Sequence, residues 1–178
     1  MTIMHSNPNV FFALFLLMVV VLIAEIRLSA KWKSFYFMNG PVIFLKKYSL
    51  NSMNTANDMA DKLDNNFAGS YFPSIIFKNI NHNVIAFREK LFEFVLLTYT
   101  PVMHGAVIVD DLKREVTIKG RVNWFPLVFS VLWVVGSFDS FGTLFLIGLM
   151  GLLYCIQYYR FTKVGEAVLN IMHSTSGT

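Results

Sequence analysis

The chain has 178 residues, of which 55% are hydrophobic, 16% aromatic and only 15% charged, with a formal net charge of +4. A soluble domain carries about 25% charged residues, so the shortage must be concentrated in segments that avoid water. The basic residues are scattered, which excludes the clustered stripe that nucleic acid needs, and the single cysteine, Cys155, excludes an internal disulfide or a CxxC site.

The run from Val10 to Ala24 (VFFALFLLMVVVLIA) contains no charge, and from Pro8 to Leu28 it covers 21 residues, close to the ~20 that cross a hydrocarbon core. A cleaved signal peptide needs a basic leader and small cleavage flanks. Met1 to Asn9 holds no lysine or arginine, and Leu28 and Ala30 make a poor cleavage pair. Residues 1–28 are therefore expected to form a retained transmembrane anchor.

The pattern changes over residues 29–121. Val42-Ile43-Phe44-Leu45, leading into Lys46 and Lys47, reads as a short strand. Thr55 to Phe67 predicts an amphipathic helix, with Thr55 and Asp58 as a weak capping box and Ala56, Met59, Ala60, Leu63 and Phe67 on one face. Strands are predicted at Ser74 to Ile80, Val84 to Phe87, Phe94 to Thr100 and Ala106 to Val109. A polar loop, Asp110 to Arg114, then leads into an alternating run from Glu115 to Val122, which signals a hairpin. The uncharged stretch 94–109 admits two readings, a buried strand pair or a fourth span. Pro101, His104, Gly105 and the β-favouring residues around them favour strands.

Val122 to Tyr159 is apolar again but interrupted by Gly136-Ser137-Phe138-Asp139-Ser140-Phe141-Gly142. As one helix it would extend roughly 57 Å, nearly twice the ~30 Å core. A helical hairpin over 122–159, with a tight turn at the far interface, fits better. Phe161, Val164, Val168 and Ile171 then form an apolar stripe opposite Lys163, Glu166 and Asn170, so the tail 160–178 is expected to lie along the membrane interface. The expected architecture is a membrane α+β protein. It has about three transmembrane helices, an N-terminal anchor plus a C-terminal hairpin, with a small α+β domain inserted between them.

Basic residues flank the spans on one side only: Arg27, Lys31 and Lys33 after the first, Lys119 and Arg121 before the second, Arg160 and Lys163 after the third. The positive-inside rule then predicts N-terminus out and central domain and C-terminus cytoplasmic, in a bacterial inner membrane. Trp32, Phe35, Tyr36, Trp124, Phe125, Tyr158 and Tyr159 gather at that same face. Between Lys31 and Arg121 there are 12 basic and 8 acidic residues, a net +4 that attracts the domain to an anionic leaflet.

Glu25 and Asp139 are the ionisable residues in or beside the spans. They could line an ion path, but snorkelling of Glu25 beside Arg27 and Lys31, and capping of the third helix by Asp139 or Ser140, are simpler accounts. His104, Asp110 and Asp111 match no ligand spacing, and His82 reads as a turn residue. No HExxH, GxSxG, Walker or Rossmann motif is present, so neither catalysis nor a cofactor or metal is expected. Gly148, Gly151 and Cys155 lie at i, i+3 and i+7 on the third helix, and Ser130 and Ser137 lie seven apart on the second. Small residues let helices approach closely in lipid, either within the hairpin or against another subunit. The sequence thus points to a non-catalytic integral membrane protein that binds a membrane protein partner or a second copy, as an accessory or assembly subunit or an immunity-type inhibitor. The alternative is an oligomeric channel or transporter component.

Overall fold

A computed structural model describes residues 8–49, 56–67, 75–89, 103–136 and 140–174. The elements in chain order are α1 (Pro8–Ala30), α2 (Ser34–Met38), β1 (Val42–Ser49), α3 (Ala56–Phe67), β2 (Ile75–Asn81), β3 (Val84–Glu89), β4 (His104–Asp110), β5 (Glu115–Arg121), α4 (Trp124–Gly136) and α5 (Ser140–Ser174). The fold is α+β. Among the described residues five strands form one antiparallel sheet in the order β1-β5-β4-β3-β2. The strand expected at 94–100 lies outside the described residues.

Among the described residues two helical stretches are long and apolar enough to cross a membrane, Phe12–Ala30 within α1 and Gly142–His173 within α5. The apolar part of α4, Trp124–Trp133, is shorter. The turn expected around Asp139 falls on residues 137–139, outside the described residues.

Each strand alternates between two faces, and the two faces meet different helices. One carries Phe44, Ile75, Phe77, Ile85, Phe87, Val107, Val109, Val116 and Ile118. Met59, Leu63 and Phe67 of α3 close over it, so the face predicted for this helix is the buried one. The C-terminal half of α5 closes over it too. The helix expected to end at Tyr159 runs on unbroken to Ser174, and Phe161, Val164, Val168 and Ile171 are buried in the sheet core. This corrects the expectation of an interfacial tail. An amphipathic stripe shows that a helix covers something apolar, but a sheet and a bilayer leave the same periodicity.

Gly120 makes that packing possible. A Cβ at this position would stand 2.6 Å from the ring of Phe161, so only glycine lets the ring rest on the strand. Phe161 in turn stacks on Phe44 at 5.5 Å and meets Phe87 edge-on at 6.1 Å between centroids.

The opposite face of the sheet is covered near one end by the turn from α1 into α2. The Trp32 N–H donates to the Ser29 carbonyl at 3.1 Å and the Lys33 N–H to the Leu28 carbonyl at 3.2 Å, the bond pattern of a Schellman motif. Trp32 occupies the left-handed position, φ 51°, that glycine usually fills. That conformation is disfavoured for a side chain by about 1 kcal/mol. It is offset by the stacking of Trp32 on Phe37 at 5.3 Å and by the Arg88 guanidinium 4.6 Å over its ring. Tyr36 and Phe37 then pack over Ala86. The sheet is therefore clamped between the end of α1 with α2 on one side and α3 with α5 on the other.

Candidate functional site

The chemistry-bearing residues converge where α1, α2, β4 and the start of α4 meet. The first N–H groups of a helix have no partner within it. At α4 those groups are satisfied from elsewhere: Trp124 donates to Glu25 Oε1 at 2.7 Å and Phe125 to Oε2 at 3.0 Å. A carboxylate there also complements the helix dipole. Glu25 is 7% exposed, so it does not snorkel towards Arg27 and Lys31; it fastens α1 to α4.

The network extends inward. The Tyr36 hydroxyl lies 3.1 Å from Glu25 Oε1 and 3.0 Å from Asn123 Oδ1, and its single proton serves one of the two at a time. Asn123 Oδ1 is 2.6 Å from His104 Nδ1. An amide oxygen only accepts, which assigns the imidazole proton to Nδ1 and leaves Nε2 bare. Nε2 is buried and has no hydrogen-bond partner among the described residues. The Tyr36 ring stacks on the imidazole at 4.2 Å.

His104 is the centre of a cross-strand row, paired in register with Arg88 on one side and Arg121 on the other. Burial pulls its pKa from 6.5 down to about 4, so it is neutral at physiological pH. Burial also lowers the pKa of both arginines. Arg88 donates to the Glu89 carbonyl at 3.1 Å, and Arg121 to the Gly40 carbonyl. His104 is fully enclosed, and the arrangement joins helices to sheet.

One consequence is measurable. Because the folded pKa near 4 lies below the unfolded 6.5, the unfolded chain takes up the proton first. Stability from this group is complete above pH 6.5 and falls as pH drops towards 4, by on the order of 3 kcal/mol in all. Thermal melts at pH 7 and pH 5 should therefore diverge more for the parent than for His104→Gln. Equal divergence would show that the imidazole is not the titrating group.

The other residues singled out by sequence are dispersed. Asp110 and Asp111 sit at the opposite end of β4 from His104, roughly 20 Å along the strand. Among the described residues no group of three His, Cys, Asp or Glu side chains could hold a metal ion. His82 is an exposed turn residue between β2 and β3. The Ser130 hydroxyl donates to the Pro126 carbonyl within its own helix at 2.7 Å, which commits its proton there. Ser137 and Asp139 lie outside the described residues. Cys155 is exposed, and a Cβ placed on Gly148 or Gly151 would meet nothing described within 4 Å. Among the described residues, no atom of α4 lies within 4 Å of a Cβ placed on either glycine.

Sequence reasoning passed over Asn123 and set Tyr36 among the aromatics of the membrane face, whereas its ring is buried against His104. Asn123 did carry a signal: an asparagine directly before an apolar run, with Pro126 in the first turn, marks a helix start. Comparison with protein-family models, with curated proteins and with solved structures gives no match.

Proposed function

We propose that this chain is an integral protein of a bacterial inner membrane that works by holding another membrane protein, as an accessory or assembly subunit or a membrane-resident inhibitor. In this reading α1, α4 and α5 cross the bilayer, with the N-terminus outside and the sheet domain and C-terminus in the cytoplasm. The length and apolar character of α1 and α5 support it. So do the one-sided basic flanks and the exposed Phe35, Trp124, Tyr158 and Tyr159 at headgroup level. α4 rises only ~20 Å, and such a short crossing is accommodated by local thinning of the bilayer.

The observation that carries the functional reading is the state of α5. Its C-terminal half is buried in the domain, while Gly148, Gly151 and Cys155 present a flat, uncovered face on the membrane half. A face of this kind accepts the backbone of a second helix. The competing channel or transporter reading places Glu25 or Asp139 on a path, and Asp139 lies outside the described residues. Both oxygens of Glu25 are engaged by α4, which favours the interaction reading.

Gly148→Leu and Gly151→Leu test it. Since no described atom lies near either position, both variants should melt like the parent when purified alone. Recovery of co-purifying membrane protein, measured by mass spectrometry after mild extraction, should fall about tenfold for each 1.4 kcal/mol of lost contact. Unchanged recovery in both would mean that this face meets only lipid.

A further inference from the structure

A cavity of about 360 Å³ opens where α1, α2 and α4 meet. Val21, Ala24 and Leu28 of α1 form one wall at helical spacing, Val128 of α4 another, and Phe35 and Trp124 stand at its sides. Glu25 also borders it, but its oxygens are taken up by Trp124, Phe125 and Tyr36. Asn39 borders it too, with its side-chain amide donating to the Phe35 carbonyl; the rest of the lining is apolar, and Phe35 and Trp124, 69% and 45% exposed, leave large rings uncovered beside it.

The volume limits what can enter. At ~30 Å³ for a water-sized group, the space takes about a dozen such groups, the bulk of one alkyl chain. Apart from Glu25, whose oxygens are engaged, the charged residues nearest in sequence to its lining are basic. Arg27, Lys31 and Lys33 are exposed on the last turn of α1 and the approach to α2, and residues 26–38 contain no acid. A chain with an anionic head satisfies both features.

We propose that this cavity seats one acyl chain of an anionic phospholipid, with its phosphate held by Arg27, Lys31 and Lys33. The proposal rests on the membrane placement of α1 and α4 given above. Each basic side chain near an anionic leaflet contributes attraction worth a factor of about five in association. Exclusion of water from Phe35, Trp124 and the α1 stripe adds to it.

Trp124 and Trp133 provide reporters that separate the two claims. Two single-tryptophan proteins are needed, one keeping Trp124 (Trp32→Phe, Trp133→Phe) and one keeping Trp133 (Trp32→Phe, Trp124→Phe). Each goes into nanodiscs of phosphatidylcholine and phosphatidylglycerol, with bromine on the chains of one lipid at a time. Trp133 should be quenched equally by either brominated lipid, as for bulk contact. Trp124 should be quenched preferentially by brominated phosphatidylglycerol, corresponding to at least about fivefold selectivity. Filling the cavity with Ala24→Phe should abolish that preference, and Lys31→Gln with Lys33→Gln should reduce it. Equal quenching of Trp124 by both lipids, or a preference that survives Ala24→Phe, would overturn the site. So would Trp124 shielded from both lipids, because protein would then fill the cavity. If Trp133 is quenched by neither, the membrane placement itself falls, and the site falls with it.

Discussion

Glu25→Ala is expected to destabilise the folded protein by about 2–6 kcal/mol, since each of the two N–H groups it leaves unpaired costs about 1–3 kcal/mol. Both donors belong to the first turn of α4, and Glu25 is the only side chain among the described residues that reaches them. The change also removes one acceptor from Tyr36, so the loss spreads towards Asn123 and His104. Glu25→Gln should fall between variant and parent: its carbonyl replaces one oxygen, but its amide presents a donor to a backbone donor. Thermal unfolding in detergent, followed by circular dichroism, checks the size. At about 2–4 °C per kcal/mol for a chain of this length, the alanine variant should melt several degrees lower or more. A melt indistinguishable from the parent would mean that α4 starts without this cap.

The second large effect is expected at Arg160. Its guanidinium pairs with Glu89 of β3, with the two side chains 11% and 4% exposed. Here α5 passes from its exposed apolar stretch into the domain, so the pair ties the helix to the sheet. Removing one partner of a buried pair costs about 3–5 kcal/mol, because the other charge is left without compensation in low dielectric. Arg160→Met should therefore be severely destabilising. Arg160→Met with Glu89→Leu should recover much of the loss, since apolar replacement of a whole buried pair is often neutral. A double-mutant cycle on melting midpoints isolates the coupling. If the double variant is as unstable as the sum of the singles, the two side chains act independently and the ion pair is not what holds α5 there.

What could be read from the sequence is what local spacing encodes. The α3 stripe, the β4–β5 hairpin and the apolar run of α1 each announce themselves within about a dozen residues. The site is different in kind. Glu25 meets Trp124 across 99 positions, and Tyr36 meets Asn123 across 87. Nothing near Glu25 in the chain distinguishes a carboxylate that caps a distant helix from one that reaches for water. The end of α1 was hidden for another reason: its left-handed cap is Trp32, where a glycine would have marked the boundary. The five-residue α2 is too short to show a period at all. The reach of α5 past Tyr159 was obscured because its apolar character gives way to an amphipathic stripe without any break in the helix.

That unbroken helix fixes an azimuth. Successive residues turn by about 100°, so Gly151 and Phe161, ten positions apart, point in directions about 80° from one another around the axis. Phe161 is held between Phe44 and Phe87, so its bearing is set by the sheet. The bearing of the glycine face is therefore set by the sheet as well. A helix docking on Gly148 and Gly151 would meet the sheet domain at one compass heading, and a single residue inserted between Cys155 and Tyr159 would swing that heading by about 100°.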